Sequence, residues 1–265
     1  MIRFLRGFGV VLLFSIFGIC SFFLGFVVLP LLQIFMKFEK TENSTSHSSI
    51  ENSIKNAKED KRKRERFSRL IHKLWHFYTN LFVILGLIKI DLKNFEQVRG
   101  KIIVSTHPTF IDIMILIGLY DNSLCLAKKE LLNNIFLKNI IKNVYIPNNV
   151  ELDEFKKIST EVLNDGYNII IFPTGTRTVE GEDLKIHKGA AALQIASGAD
   201  IVPVTIKCDY PFLQKGQPIY DASDRLITYT ISQLDPIKLS DFDEKSEIKL
   251  RKAISEKIKF DFMQN

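Results

Sequence analysis

From Gly7 to Phe35 the chain runs for 29 residues without a charged side chain, interrupted by Ser15, Ser21, Pro30 and Gln33. A helix needs about 20 such residues to cross the hydrocarbon core of a bilayer, so residues 1–36 are expected to form a membrane anchor. Arg3 and Arg6 give the run a basic start, as in a secretory leader, but the apolar stretch is too long for one and no small-x-small cleavage site follows it. Ile19, just before Cys20, is too large for lipoprotein-type processing. Basic residues lie on both sides of the run. The excess after it, beginning with Lys37 and Lys40, favours a body in the cytoplasm and places the protein at the inner or cytoplasmic membrane.

The remainder of a 265-residue chain leaves room for one catalytic domain. Residues 37–60 contain the TENSTSHSSIENS stretch, which is rich in Ser and Asn and reads as a flexible linker. His47 falls inside it and is expected to be solvated. The basic run Lys58–Arg69 then leads into LIHKLWHFYTNLFVILGLIKI, where Trp75, Phe77 and Tyr78 gather, so residues 61–90 are expected to form a helix lying on an anionic membrane surface. From residue 91 to 265 short apolar runs alternate with amphipathic segments, the pattern of an α/β domain. Candidate strands are 101–106, 123–128, 143–147, 167–172, 201–207 and 226–232. Candidate helices are 110–120, a segment opened by Asn148 or Asn149 and closed by Gly166, and a C-terminal helix near 244–260.

Chemistry enters with HPTFID, in which His107 precedes Asp112 by five residues between a candidate strand and a candidate helix. The spacing alone is not diagnostic, since five His and 15 Asp in this chain give about 0.3 chance matches. Its position carries more weight, because strand ends are where α/β proteins place ligands. Two residues five apart within one helix would point about 140° from each other. His107 must therefore stand before the helix, with Asp112 in its first turns reaching back, so that the carboxylate fixes the imidazole tautomer and the other ring nitrogen acts as a general base.

A second element, FPTGTRT at 172–178, sets a Gly, hydroxyls and an Arg in a tight loop after a strand. Gly175 lets the backbone approach a ligand, Arg177 suits a phosphate or carboxylate, and the loop amides suit an oxyanion. In HKGA, Lys188 and Gly189 precede a candidate helix and form a possible anion site, with His187 beside it. Cys20, Cys125 and Cys208 lack the spacing of a disulfide framework or a zinc site, and Cys125 and Cys208 sit in apolar strands as packing residues. His72 and His76 lie four apart with no third ligand nearby, so no metal is expected and an interfacial role is preferred. No residue pattern calls for a cofactor.

Taken in order, HPTFID, VYIPN, FPTGTRT and IVPV resemble the four successive blocks of the phospholipid and glycerol acyltransferase superfamily, over about residues 101–206. The run from VYIPNN through IVPVTIKCDYPFLQKGQPIY is also similar to lysophospholipid-acyltransferase-like proteins encoded in aryl polyene gene clusters. The resemblance implies one glycerolipid-acyltransferase-like α/β domain, with a mixed sheet flanked by helices, behind the membrane helix and the interfacial helix. It further implies that His107 activates an acceptor hydroxyl, that Asp112 orients it, and that the alcohol attacks the thioester of acyl-carrier protein or acyl-CoA directly. Neither block carries a cysteine or a G-x-S-x-G serine for an acyl-enzyme.

Two positions depart from the family pattern, which usually has Glu where this chain has Thr174 and often has Arg where it has Asn148. By resemblance Asn148, Thr174, Gly175, Thr176, Arg177 and Lys188 contact the acceptor, and Asn cannot replace the charge or fork of an Arg. The expected function is thus O-acyl transfer to a lysophospholipid or glycerolipid-like alcohol at a membrane. A specialised aryl polyene-type lipid and a non-catalytic lipid-binding protein are the alternatives. A net charge of +6 admits anionic partners, and the membrane features turn the expectation away from nucleic acid.

Overall fold

The computed structural model describes residues 1–31, 34, 49–127, 146–147, 152–178 and 183–264, with the backbone alone for 49–64, 126–127, 146–147 and 152–153. Helix α1 (Ile2–Phe23) continues through a π-helical turn at Leu24–Val28 to Leu31. Among the described residues it is the one helix long and apolar enough to cross a membrane. One face of α1 meets the protein: Val10 and Leu13 are buried, and Phe17 packs on Trp75 and Tyr78 at 5.3 and 5.2 Å between ring centroids. The opposite face leaves Phe4, Phe8, Ile19 and Phe23 exposed.

The start of α1 is fastened to the body. Arg3 donates from Nε to the carbonyl of Ala222 at 3.1 Å and pairs with Asp221 at 2.5 Å. Gly7 permits the contact, because a Cβ there would lie 2.4 Å from the carbonyl oxygen of Tyr220.

Helix α2 (Ser49–Ile84) corrects two expectations. Residues 49–60, the part of the expected linker among the described residues, are helical; residues 37–48 lie outside them. The polar composition was misleading because Lys, Glu and Arg are good helix formers and neither Gly nor Pro interrupts 49–84. The helix also stops short of residue 90. Gly86, at φ +64°, closes it with bonds from its N–H to Val83 and from the N–H of Leu87 to Phe82, both 2.9 Å, the glycine-terminated arrangement that satisfies the last carbonyls.

The expected membrane face of α2 is divided. Phe67, Ile71, Trp75, Tyr78 and Phe82 recur at helical spacing and are buried, whereas Phe77 is exposed. His72 and His76 reach toward another helix. Their Nδ1 atoms meet the carbonyls of Ile117 and Gly118 at 2.8 and 3.0 Å, at the end of helix α3 (Asp112–Leu119). The crossing is close because Gly118 has no side chain; a Cβ there would lie 2.9 Å from the backbone nitrogen of His76.

The sheet contains β1 (Ile88–Lys93), β2 (Ile102–Ser105), β3 (Ser123–Ala127), β4 (Ile146–Pro147), β5 (Asn168–Ile171), β6 (Ile201–Cys208) and β7 (Ile227–Gln233). Their order is β1-β7-β6-β2-β5-β3-β4. All neighbours are parallel except β6 and β7, so the sheet is mixed, as expected. Strands β2 and β5 lie inside it and every residue of both is buried, matching their unbroken apolar runs. Strand β7 instead buries alternate residues, Ile227, Tyr229, Ile231 and Gln233. Helix α4 (Leu152–Asn164) ends at Gly166 as expected, and α5 (Gly189–Ser197) packs between it and α6 (Glu247–Gln264).

Candidate functional site

The site forms where β2 leaves the sheet. Thr106 Oγ1 accepts the N–H of Ile206 at 2.7 Å and donates to its carbonyl at 3.2 Å, so a side chain completes the pairing with β6 and the main chain turns away. His107 follows at the turn. Its carbonyl accepts the N–H of Thr178 at 2.8 Å, which ties HPTFID to the end of FPTGTRT. Its ring stacks on Phe172 at 4.2 Å, and its side chain is 19% exposed.

His107 Nδ1 lies 2.9 Å from Asp112 Oδ2. Asp112 is the first residue of α3 and fully buried, so the helix start delivers the carboxylate backward to the preceding turn. The N–H of Thr109 also donates to Asp112 Oδ2, at 2.7 Å, and the Thr109 hydroxyl donates to Oδ1. Because the carboxylate only accepts, the His107 proton belongs on Nδ1 and Nε2 carries the lone pair. Thr109 and the stacking surface of Phe172 were not singled out in the sequence, although each lies within a motif that was.

The FPTGTRT loop turns at Gly175, which has φ +68° and donates its N–H to the Phe172 carbonyl at 3.0 Å. Thr174 is buried and its hydroxyl donates to the Thr176 carbonyl at 2.9 Å, so it serves its own loop, while Thr176 is exposed. Arg177 reaches across instead of outward. Its Nη1 donates to the carbonyls of Leu213 and Gln214, both at 3.0 Å, and its guanidinium carbon lies 5.9 Å from the centre of the Phe110 ring.

His187 donates its N–H to the Pro173 carbonyl at 2.8 Å, and its ring lies 3.4 Å from where a Cβ on Gly175 would be. Lys188 is the exposed residue that opens α5. His187 therefore borders the loop, with Lys188 next to it in the chain; Asn148 lies outside the described residues.

Neither Cys125 nor Cys208 offers a nucleophile. Burial pushes the Cys208 thiol up to about 11 and raises that of Cys125 as well, so both stay protonated near neutral pH. Among the described residues no group of three His, Cys, Asp or Glu is placed to hold a metal ion.

Residues 88–207, from β1 into β6, match the family described as Acyltransferase. The chain is 31% identical over 140 residues to the 1-acyl-sn-glycerol-3-phosphate acyltransferase of Bacillus subtilis, covering 49% of this chain and 69% of that protein. It is 25% identical over 149 residues to the enzyme of the same name from Pseudomonas aeruginosa, covering 53% of this chain and 58% of that one. The crystal structure of the 1-acyl-sn-glycerophosphate acyltransferase of Thermotoga maritima has the same fold, with a TM-score of 0.59 and 18% identity across 99% of this chain and 98% of that one. With one relative above 30% identity aligned over more than two thirds of its length, the chain belongs to the acyltransferase family that contains the 1-acyl-sn-glycerol-3-phosphate acyltransferases.

Proposed function

We propose that this protein transfers a fatty acyl group from acyl-carrier protein or acyl-CoA to a hydroxyl of a lysophospholipid or glycerolipid-like acceptor, with His107 as general base and Asp112 as its orienting partner. The observation that carries the reading is the 2.9 Å contact of His107 Nδ1 with a buried Asp112, which leaves Nε2 basic. Nε2 takes the proton of the acceptor hydroxyl as its oxygen attacks the thioester carbonyl. The tetrahedral intermediate then collapses, the C–S bond breaks, and the leaving thiolate recovers that proton from the imidazolium. Gly175 and Thr178 spend their amides on Phe172 and His107, so the amides of Thr174, Thr176 and Arg177 are the loop's candidates for the oxyanion.

The remaining expected contacts define the acceptor side. Gly175 gives the ligand room, and Thr174 and Thr176 border the headgroup; Asn148, outside the described residues, is assigned to the acceptor by resemblance alone. A phosphate would be met by Lys188 and by the Nε and Nη2 of Arg177, since Nη1 is already engaged. That engagement, with Thr174 turned to its own loop, also supports a second reading in which the acceptor is a specialised lipid without a phosphate near its reacting hydroxyl. The apolar face of α1 supports attachment to a membrane, and the excess of basic residues after the apolar run is the reason for proposing the cytoplasmic membrane with the catalytic body on its cytoplasmic side.

Purified protein incubated with isotope-labelled acyl-carrier protein or acyl-CoA and a panel of lysolipids, followed by lipid mass spectrometry, identifies donor and acceptor together. Labelled diacyl product that depends on His107 is expected. Donor hydrolysis alone, or no turnover with any acceptor, overturns the reading and leaves a lipid-binding protein of the same fold.

A further inference from the structure

We propose that Thr109 is a positioning residue for the dyad, holding the Asp112 carboxylate in one orientation and thereby keeping the His107 proton on Nδ1. The proposal rests on the reading of His107 as the base.

A carboxylate at the start of a helix can rotate about its Cβ–Cγ bond, and each orientation offers the imidazole a different oxygen at a different angle. Thr109 removes that freedom by gripping both oxygens: its backbone N–H donates to Oδ2 at 2.7 Å and its hydroxyl donates to Oδ1. His107 shares Oδ2 at 2.9 Å. Asp112 and Thr109 are both fully buried, so water does not take over if the hydroxyl is removed. A buried carboxylate oxygen left without a donor is costly, and its charge turns to the nearest remaining proton, that of the imidazole.

The layer behind Thr109 keeps the readout clean. Tyr229 from β7 is fully buried, with its phenol beside the side chains of Thr109 and Cys208 and near Asp112. Burial foremost, then the Cys208 thiol and the Asp112 carboxylate, hold that phenol well above the usual tyrosine range. The Cys208 thiol from β6 is pushed up to about 11 by burial. Through the pH range in which an imidazole titrates, both groups stay neutral, so a change in the titration of His107 reports on Asp112 and its donors.

The test uses the full chain in detergent, labelled with ¹⁵N-histidine, with the His107 signals identified by their loss in His107→Gln. Wild type is expected to show the Nδ1–H tautomer. Thr109→Val, which keeps the shape and loses the hydroxyl, should let the tautomers mix and raise the titration midpoint of His107. It should also lower kcat by about tenfold with little change in KM, as the loss of a charge-assisted hydrogen bond implies. Thr109→Ser should restore the tautomer, the midpoint and kcat; Thr109→Ala replaces Val if that variant does not fold. A Val or Ala variant with a wild-type tautomer and midpoint overturns the proposal, even if kcat falls, as does a Ser variant as impaired as Val. If the tautomer responds as expected while no variant, wild type included, transfers acyl groups, the positioning role stands and the acyltransferase reading fails.

Discussion

Arg177 Nη1 donates to the carbonyl of Leu213 at 3.0 Å, and Leu213 is itself held in the left-handed region at φ +55°. The same carbonyl accepts the N–H of Phe110 at 3.1 Å. One oxygen thus joins the FPTGTRT loop, the residue between His107 and Asp112, and the segment that follows β6. Lys is a poor substitute, because its ammonium is a rotating, strongly hydrated point charge that neither fixes the plane in which Nη1 meets the two carbonyls nor covers an aromatic face in the same way. Arg177→Lys should therefore lower the thermal midpoint as well as turnover, with about 1.5 kcal/mol lost for the charged hydrogen bonds. A variant with unchanged melting by calorimetry would show that the clamp does not hold the segment.

His107→Ala should reduce acyl transfer by about 10²–10⁴ with the protein still folded and membrane bound, the usual range for a general base. Asp112→Asn should also be severe, since an amide can bond the ring but cannot stabilise its positive form. The buried carboxylate is also tied to Thr109, so circular dichroism must accompany the assay for this variant. Near wild-type turnover for Asp112→Asn would reduce Asp112 to a helix-start residue.

The contact between His107 and Asp112 was legible because its geometry is local: a strand, a turn and the first residue of a helix place the two within five positions. Strand β1 was not, although Ile88, Ile90 and Leu92 alternate, because they continue an apolar run that began in α2, and Gly86 was the stop signal passed over. The helical 49–60 segment was hidden by its Ser and Asn content, which resembles a linker until the Lys and Glu that follow are weighed as helix formers. The partner of Arg177 could not be read at all, since Leu213 lies 36 residues further along the chain and is brought there by the sheet. The burial of Trp75 and Tyr78 against Phe17 was equally remote, because an aromatic run looks the same facing lipid or another helix.

The fastening of α1 gives a test independent of catalysis. The Arg3 hydrogen bond holds the Asp221 carboxyl below the usual carboxylate range. A depressed pKa contributes stability above the unfolded value near 3.9, and that contribution is lost as pH falls through the folded value. Asp221→Asn should imitate the acidic state at neutral pH. Gly7→Leu should act more strongly, because its Cβ meets a backbone carbonyl rather than a movable side chain. Both should lower the thermal midpoint of the protein in detergent; equal melting of all three proteins would show that the contact is not made in solution.

At the α2–α3 crossing, Gly118→Ala should destabilise the protein by about 1–3 kcal/mol, the usual cost of overpacking a tight contact. The added carbon would lie 2.9 Å from the His76 nitrogen and 3.0 Å from its Cα, and neither backbone atom can rotate aside. Since α3 begins with Asp112, displacement should reach activity as well as the thermal midpoint. An Ala variant that melts and turns over like wild type would mean that the helices can separate freely here.

The proposed acceptor readings differ in what they expect of charge at positions 148 and 177. Thr174 hydrogen bonds within its own loop, and one nitrogen of Arg177 is spent on Leu213 and Gln214. If the acceptor carries no phosphate near its reacting hydroxyl, Arg177→Ala should lower turnover of lysophosphatidic acid and of a phosphate-free alcohol by the same factor, because the loss of the clamp affects both. Asn148→Arg should then leave the preferred reaction unimproved. If a phosphate is bound, Arg177→Ala should penalise lysophosphatidic acid selectively, and a new guanidinium at position 148 should raise its kcat/KM, a charge-assisted contact being worth about 1.5–3 kcal/mol. Steady-state rates for both acceptors with wild type, Asn148→Arg and Arg177→Ala separate the two. Strong lysophosphatidic acid turnover that collapses without Arg177, while the alcohol is spared, sinks the specialised-acceptor reading.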